Sequence, residues 1–341
     1  MKELTIGRND AGQRFDKYLF KLLSQAPDGF VYKMLRKKNI VLNGKKSTGS
    51  EKTYEGDIVR LFLSDETFEK FKGPASRTHS ASSVSKKTVI MPEVIYEDAD
   101  VLFINKPAGI LSQPDSSGAV SVVDMVRSYL SEKGFDSGLF NPTVCNRLDR
   151  NTSGLIMCAL SLPGAQALSE TIKDRAFSKE YLCIVSGRME GEGMITGYID
   201  KDEKTNTVTV TNLPEKDCSQ ERCRYGLFAK TGYKVLSSES DCSLLLVKLY
   251  TGRTHQIRAH MASIGHPVIG DTKYGDRAIN ARYKAQYGVT SQLLHAYRVT
   301  FPEELKELRN IAGRSFTADP DTRMMKVIKG ELSWQPGPQE V

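Results

Sequence analysis

The sequence CNRLDRNTSGLIMCAL, residues 145–160, joins a charged turn to a short apolar run. Asp149 lies between Arg147 and Arg150 in the turn, and Gly154 precedes the apolar run. A run of this length is typical of one buried strand, so we predict a loop that is held by a core strand and presents a carboxylate. Catalytic groups concentrate on such loops. Taken alone, however, an aspartate in this setting is more often a helix cap or an ion-pair partner.

The composition is that of a globular protein with more than one core. The chain has 341 residues, of which 39% are hydrophobic and 26% are charged, and this length favours two domains joined by a linker. No apolar run approaches the roughly 20 residues of a membrane span, and the first residues do not resemble a signal peptide. We therefore expect no membrane association and a cytoplasmic location.

The six cysteines have neither CxxC pairs nor Cys/His ligand spacing. Cys158 and Cys183 lie in apolar runs, where a free cysteine packs as a small hydrophobic residue. The pattern predicts neither a disulfide framework nor a metal site.

The net charge of +7 is concentrated near the N-terminus. Residues 1–90 hold 18 Lys and Arg against 10 Asp and Glu, whereas the remaining residues hold 30 and 31. A basic excess at one end indicates an accessory element that meets a polyanion, although a solvated surface would give the same composition. The candidate contacts are the clustered residues Arg36, Lys37, Lys38, Lys45 and Lys46.

Residues 1–72 have the pattern of a small α+β domain. Apolar residues at helical spacing predict helices at residues 15–23 and 31–37. Asn43-Gly44 predicts a hairpin turn, and a further strand is predicted at residues 57–63. Residues 73–90 are rich in serine and contain no acidic residue, so we predict a flexible linker there.

Residues 91–330 are expected to form a second, larger domain. Strands are predicted at residues 94–96, 101–104, 155–160, 181–185, 207–211, 244–249 and 293–299. Helices are predicted at residues 121–133, 163–174 and 254–264. Many strands with few helices between them favour an α+β fold with a mixed, mainly antiparallel sheet. The rest of residues 187–232 is polar and has no clear assignment.

Several stretches resemble the motifs of the RluA family of pseudouridine synthases. NRLDRNTSG at residues 146–154 is similar to the family's HRLDxxTSG, with Asn146 in place of the usual histidine. Further motifs follow in the family's order and spacing: NKPAG (105–109), SKEYLCIV (178–185) and TGRTHQIRAHMASIGHPVIGDTKYG (251–275). The resemblance extends from residue 91 to about residue 300. Residues 1–72 more loosely resemble the small RNA-binding domain shared by a ribosomal small-subunit protein and many RNA-modifying enzymes.

The resemblance implies an isomerase that converts uridine to pseudouridine in structured RNA. The bond between ribose and the uracil nitrogen is broken, the base turns, and the ribose rejoins ring carbon five. This reaction implies no cofactor, because nothing is oxidised, reduced or consumed. The expected partner is large-subunit (23S) ribosomal RNA, with transfer RNA as the alternative, and no protein partner is implied.

The family's catalytic roles correspond to three residues of this chain. Asp149 would be the catalytic carboxylate, which neighbouring cations would keep ionised. Arg258 would be the arginine that pairs with it, and Tyr181 would stack on the target base or also handle a proton.

The expected substrate contacts are four residues beside these. Arg147 would fill the space left by the extruded nucleotide, at a position next to Asn146. Arg253 would contact phosphate or anchor the start of a helix. On a helix beginning near residue 254, His255 and Arg258 would share one face.

A protein of another class, an RNA-binding or ribosome-assembly protein without catalytic activity, would share the basic N-terminal region. The complete set of Asp149, Tyr181 and Arg258 favours the enzyme. A carboxylate-dependent nucleoside hydrolase would leave the basic region unexplained.

Overall fold

The computed structural model describes residues 1–72, 90–135, 138–174, 176–202, 204–212, 222–223, 225–239, 241–305 and 307–335. The linker predicted at residues 73–90 lies outside these residues except for Ile90. Within them the chain forms a four-stranded sheet and a twelve-stranded sheet. No helix of the described part is long and apolar enough to cross a membrane.

The small sheet and three helices form an N-terminal unit. Its elements are β1 (Lys2–Thr5), α1 (Phe15–Leu22), α2 (Asp28–Arg36), β2 (Ile40–Leu42), β3 (Lys45–Lys46), β4 (Ile58–Leu61) and α3 (Asp65–Phe71). The strand order is β1-β4-β2-β3, and all pairs are antiparallel. Asn43 and Gly44 have φ of 51° and 72°, as the predicted hairpin turn requires. Strand β1 and helix α3 were not predicted from the sequence.

The large sheet contains the remaining strands. They are β5 (Val94–Glu97), β6 (Val101–Lys106), β7 (Thr143–Val144), β8 (Ser153–Ala159), β9 (Ser178–Ser186), β10 (Glu192–Asp202), β11 (Thr207–Asn212), β12 (Arg222–Cys223), β13 (Gly226–Ser238), β14 (Cys242–Leu249), β15 (Leu294–Thr300) and β16 (Ser315–Thr317). The main order is β11-β10-β13-β14-β9-β15-β8-β6-β5. Among the described strands of this sheet, only β8 and β15 pair in parallel. The predicted α+β class with a mixed, mainly antiparallel sheet is therefore confirmed.

Five helices cover the two faces of this sheet. They are α4 (Val122–Glu132), α5 (Leu162–Lys173), α6 (Gln256–Ser263), α7 (Arg277–Tyr287) and α8 (Thr322–Glu331). Alternate residues of a strand point to opposite faces. On β9, Tyr181 therefore packs into the core with α4 and α6, whereas Leu182 packs with α7 and α8. Helices α7 and α8 were not predicted from the sequence.

The N-terminal unit contacts the large sheet's unit through polar groups. The Arg8 guanidinium lies 2.6 Å from the Asp100 carboxylate. Both oxygens of Asp10 accept a hydrogen bond from the Leu139 backbone N–H, at 3.0 and 3.2 Å, and Leu139 packs against the N-terminal core. These contacts, which join segments about a hundred residues apart in the sequence, are called the interdomain joint below.

Gly154 lies where β8 meets β15, and its conformation restricts it to glycine. Its φ is +106°, and a Cβ there would overlap the Ala296 carbonyl and lie 2.6 Å from the Ala296 nitrogen. We expect Gly154→Ala to lower the free energy of unfolding by about 2–5 kcal/mol, since backbone strain and overpacking add. Gly288→Ala is the matched control, because Gly288 has φ of +71° with nothing within 4 Å of the added Cβ. Denaturant unfolding of both variants measures this, and equal losses would contradict the steric explanation.

Candidate active site

The loop that carries Asp149 is tied to the bend formed by residues 106–112. Fully buried Lys106 donates to the carbonyls of Pro107, Ile110 and Arg150 at 2.9–3.1 Å. Three carbonyl acceptors match the three N–H groups of an ammonium. Burial lowers the pKa of Lys106 to about 7, while the Asp149 carboxylate opposes that shift. The loop is therefore anchored by the three hydrogen bonds of a buried lysine.

A second set of bonds fixes the same loop from the side. The Ser112 hydroxyl donates to the Leu148 carbonyl at 2.8 Å and accepts from the Leu148 N–H at 3.1 Å. Gly109 and Arg150 exchange two further hydrogen bonds. The backbone on both sides of Asp149 is thus held, while its side chain remains 32% exposed.

Arg258 connects two carboxylates. Its Nη1 donates to Asp149 Oδ2 at 2.8 Å, and its Nε and Nη2 donate to both oxygens of Asp271 at 2.6 and 2.9 Å. The Arg258 side chain is 6% exposed and that of Asp271 is fully buried. Burial opposes ionisation of Asp271, but the hydrogen bonds and charge of Arg258, together with the backbone N–H groups of Lys273 and Tyr274, lower the pKa of Asp271. Arg258 is therefore oriented by a buried carboxylate and directed at an exposed one.

His255 lies beside this array with an unusual backbone conformation. Its φ of 52° is left-handed, and helix α6 begins only at Gln256. Helix α6 thus begins two residues after the predicted start near residue 254, and His255, at its N-cap, does not share a helical face with Arg258. Its Nε2 nevertheless lies 3.9 Å from Asp149 Oδ2, and its Nδ1 lies 2.9 Å from the Tyr274 hydroxyl.

Tyr181 lies on β9, within electrostatic reach of Asp149. Its ring is 8% exposed and belongs to the core on the site's face of the sheet. Burial raises the pKa of Tyr181, and the charge of Asp149 raises it further. The phenol is therefore neutral and close enough to Asp149 to experience its charge.

The other predicted substrate contacts differ in what surrounds them. Arg147 is exposed. The Asn146 amide bonds to β8, accepting from the Met157 N–H at 2.6 Å and donating to the Leu155 carbonyl at 3.4 Å. Arg253 donates from Nε to the Phe228 carbonyl of β13 at 2.9 Å.

The five basic residues predicted to bind RNA lie on neighbouring elements. Arg36 ends α2, Lys37 and Lys38 connect it to β2, and Lys45 and Lys46 form the paired strand β3. All five are exposed. The structure thus presents their charges to solvent on one part of the N-terminal unit.

Three residues of the site have no role assigned from the sequence. Lys106 lies within the quoted NKPAG stretch, and Asp271 and Tyr274 lie within GDTKYG at the end of the third motif. The presence of Asp271 and Tyr274 together in one short motif was the sequence feature that could have indicated a role for them in the site. Among the described residues, no group of three or more His, Cys, Asp or Glu could hold a metal ion.

The arrangement favours chemistry at one carboxylate. Oδ2 of Asp149 is bound by Arg258, which leaves Oδ1 available for a reacting group at the surface. Tyr181, whose pKa the charge of Asp149 raises, lies in the apolar core on this face of the sheet. Such a site can attack, or remove a proton from, a sugar carbon while an aromatic ring contacts a base.

Comparisons with known proteins identify the family. The sequence profile described as RNA pseudouridylate synthase matches residues 100–263. Ribosomal large subunit pseudouridine synthase C of Rickettsia bellii is 33% identical over 267 residues, covering 77% of this chain and 83% of that protein. The protein of the same name from Pasteurella multocida is 29% identical over 338 residues, covering 98% and 95%.

Two human structures share the fold. Human RNA pseudouridylate synthase domain containing 4 superposes with a TM-score of 0.55 at 19% identity, covering 72% of this chain and 95% of that one. Human RNA pseudouridylate synthase domain containing 1 gives 0.51 at 23% identity, covering 64% and 81%.

The present chain belongs to the RNA pseudouridylate synthase family. It is an isomerase that converts uridine in RNA to pseudouridine, so the predicted family and enzyme class are confirmed.

Proposed function

We propose that this enzyme modifies uridines of large-subunit (23S) ribosomal RNA and that Asp149 is its catalytic carboxylate. The observation that carries the proposal is the exposed carboxylate of Asp149, held by Arg258, which is itself held by buried Asp271. Relatives that align over most of the chain are named for the ribosomal large subunit. An enzyme of that RNA would act in the cytoplasm, where ribosomes are assembled.

Asp149 acts on the ribose, either as nucleophile at C1′ or as base toward the sugar. The C1′–N1 bond breaks, the uracil turns, and a C1′–C5 bond forms. The proton on C5 then leaves, N1 gains a proton, and the atoms balance without a second substrate. Tyr181 contacts the turning base with its neutral ring.

Arg147 is the proposed substitute for the extruded nucleotide. An enzyme that acts on a paired base must first unstack it, at a cost of about a few kcal/mol. Arg147 is exposed two residues before Asp149, so its guanidinium reaches the RNA helix where the base leaves. Asn146, Arg253 and His255 complete the proposed substrate side of the site.

The division into residues 1–72, a linker at 73–90 and a catalytic domain at 91–330 remains part of the proposal. The first unit has its own sheet and core. In the second unit, packing continues to Leu332 and Trp334. We assign RNA docking to the first unit, through the five exposed basic residues, and chemistry to the second.

The experiment that tests the function is a pseudouridine map. Carbodiimide treatment and primer extension of RNA from cells that lack this protein should show the loss of specific sites in large-subunit ribosomal RNA. The wild-type protein should restore them, and Asp149→Asn should not. An unchanged ribosomal map, or a loss confined to transfer RNA, would refute the proposed substrate.

The docking role makes a separate prediction about salt. Lys45→Gln with Lys46→Gln should reduce the slope of log K against log salt by about 1.5, because each lost phosphate contact removes roughly 0.7–0.9. Lys284→Gln with Lys326→Gln, two exposed lysines of the other unit, is the matched control and should leave the slope unchanged. Binding of one structured RNA at several salt concentrations measures both slopes. Equal slopes for the two pairs would show that the basic cluster faces solvent in the complex.

A further inference from the structure

We infer that His255 is a positioning residue that presents a neutral Nε2–H group to Asp149, with its tautomer set by Tyr274. The inference rests on the proposed role of Asp149. It follows from a series of contacts that runs from the Val208 backbone on β11, through Tyr274 and His255, to the Asp149 carboxylate.

The first contact concerns the Tyr274 hydroxyl, which can both accept and donate a hydrogen bond. The Val208 backbone N–H donates to the Tyr274 oxygen at 2.8 Å. Burial raises the pKa of Tyr274, so the phenol keeps its hydrogen. We assign the phenol's hydrogen to His255 Nδ1, which lies 2.9 Å from the Tyr274 oxygen. The phenol therefore accepts from Val208 and donates to His255.

The second contact follows from the first. A neutral imidazole carries one hydrogen, and a nitrogen that accepts a hydrogen bond cannot carry it. Because Nδ1 accepts from Tyr274, the hydrogen is on Nε2. This nitrogen faces Asp149 Oδ2, the oxygen that Arg258 also holds, at 3.9 Å. Such contacts are often long without substrate and shorten in the complex.

The charges around His255 allow the neutral form. Burial lowers its pKa, as do the cations Arg258 and Lys273, whereas the carboxylates Asp149 and Asp271 oppose this shift. The net direction is downward. His255 is thus a neutral donor near neutral pH, and Arg258 supplies the positive charge.

The backbone at His255 has a strained, left-handed conformation that places the imidazole near Asp149. A left-handed residue other than glycine persists only where its surroundings impose it, and such residues cluster at functional sites. Here Gln256 imposes it: its side-chain oxygen accepts from the Thr251 hydroxyl and the Arg253 N–H, and its nitrogen donates to Thr231. The turn directs the imidazole back toward Asp149 instead of along α6.

The consequence concerns the orientation of the carboxylate. Arg258 binds Oδ2 at 2.8 Å and His255 Nε2 lies 3.9 Å from the same oxygen, so Oδ1 is left as the oxygen that meets the ribose. Loss of one donor would leave Asp149 charged but free to rotate about its terminal bond. The effect should therefore appear in the chemical step and not in RNA binding.

The tautomer is tested directly by NMR. Full-length protein labelled with ¹⁵N-histidine should show His255 with its hydrogen on Nε2 at pH 7, assigned by the signal missing from His255→Gln. Tyr274→Phe removes the donor to Nδ1 and should shift this signal toward a mixture of tautomers. A hydrogen on Nδ1, or a doubly protonated ring at pH 7, would overturn the inference.

Single-turnover kinetics on saturating RNA test the role. His255→Ala should lower the rate constant about tenfold to a hundredfold, the effect of a small misplacement of a reacting group, with RNA affinity within about twofold of wild type. His255→Gln, which keeps an N–H donor, should recover part of the rate. His255→Gly should lose as much rate as His255→Ala while melting at a higher temperature, since glycine relieves the left-handed strain.

These outcomes separate the inference from the proposed function. Wild-type rates in both His255→Ala and His255→Gly would refute the positioning role, even if Asp149→Asn is inactive. Activity in Asp149→Asn would instead refute the proposed catalytic residue, whatever the NMR experiment shows. A rate loss in His255→Ala that His255→Gly reverses would assign the effect to strain and also refute positioning.

Discussion

Asp149→Asn is expected to reduce pseudouridine formation by roughly a thousandfold or more, the range expected when a reacting carboxylate loses its charge. The amide keeps the shape of the side chain, but it neither attacks a sugar carbon nor accepts a proton at neutral pH. RNA binding should persist, because the basic residues 36–46 lie on another unit. Release of tritium from RNA that contains 5-tritiated uridine measures the reaction.

The fold of this variant should be intact. Asp149 is partly exposed, and Arg258 keeps both hydrogen bonds to Asp271, so no buried charge loses its partner. Asp200→Asn, at an exposed carboxylate on β10, is the control and should be fully active. Residual activity above a few per cent in Asp149→Asn, after exclusion of deamidation, would remove this residue from the proposed catalytic role.

The second large effect is expected on stability. Arg258→Met leaves Asp271 fully buried without a cation, and loss of one partner of a buried ion pair typically costs about 3–5 kcal/mol. Arg258→Met should also be inactive, because Asp149 loses its guanidinium. Arg298→Met is the control: Arg298 lies 3.7 Å from Glu180 and is 40% exposed, so its removal should cost about 0–1 kcal/mol. Urea unfolding at pH 7 compares the two.

The stability deficit of Arg258→Met should depend on pH. In the wild type, the lowered pKa of Asp271 contributes stability above the unfolded-state pKa of about 4, and this is lost as the pH falls through the lower, folded-state value. In the variant, burial without a cation raises the pKa of Asp271, so protonation on acidification relieves the penalty. The difference in free energy of unfolding between the wild type and Arg258→Met should therefore become smaller from pH 7 to pH 4.

A double variant separates charge from packing. Arg258→Met with Asp271→Asn removes both charges and should recover much of the stability at pH 7 while remaining inactive. A gap that does not change with pH, together with no recovery in the double variant, would show that packing by Arg258 dominates over its charge.

Local patterns predicted much of the fold. The left-handed pair Asn43-Gly44 and the helix that begins after Ser121 depend on contacts within four residues. Ser121 and Asp124 form a capping box, for example, and apolar spacing sets the buried face of α4. Such elements can be predicted from the sequence because the interactions that determine them join residues that are close along the chain.

The contacts that build the site join segments that are distant in the sequence, so they were harder to predict from it. The Asp149–Arg258 pair was inferred from motif resemblance, since no local rule joins residues 109 positions apart. The partnership of Asp271 with Arg258 was not predicted, because spacing does not reveal which carboxylate is buried. Likewise, helical spacing placed His255 on a helix, whereas it lies at the N-cap in a left-handed conformation, beside a Gln256 side chain that bonds to Arg253 and to distant Thr231. Tertiary hydrogen bonds outweighed the local periodicity there.

Under the docking role proposed for the basic residues 36–46, the interdomain joint would give the enzyme two attachment points on one RNA. The contacts of Arg8 with Asp100 and of Asp10 with Leu139 set the separation between the basic residues and Asp149. Once one point is bound, the other meets its target at an effective concentration that depends on how well the RNA matches that separation. An RNA of suitable shape gains both affinities, whereas a short or differently folded RNA gains only one. With that docking role, the joint would make distance along the folded RNA a criterion of selection, in addition to the nucleotides around the target uridine.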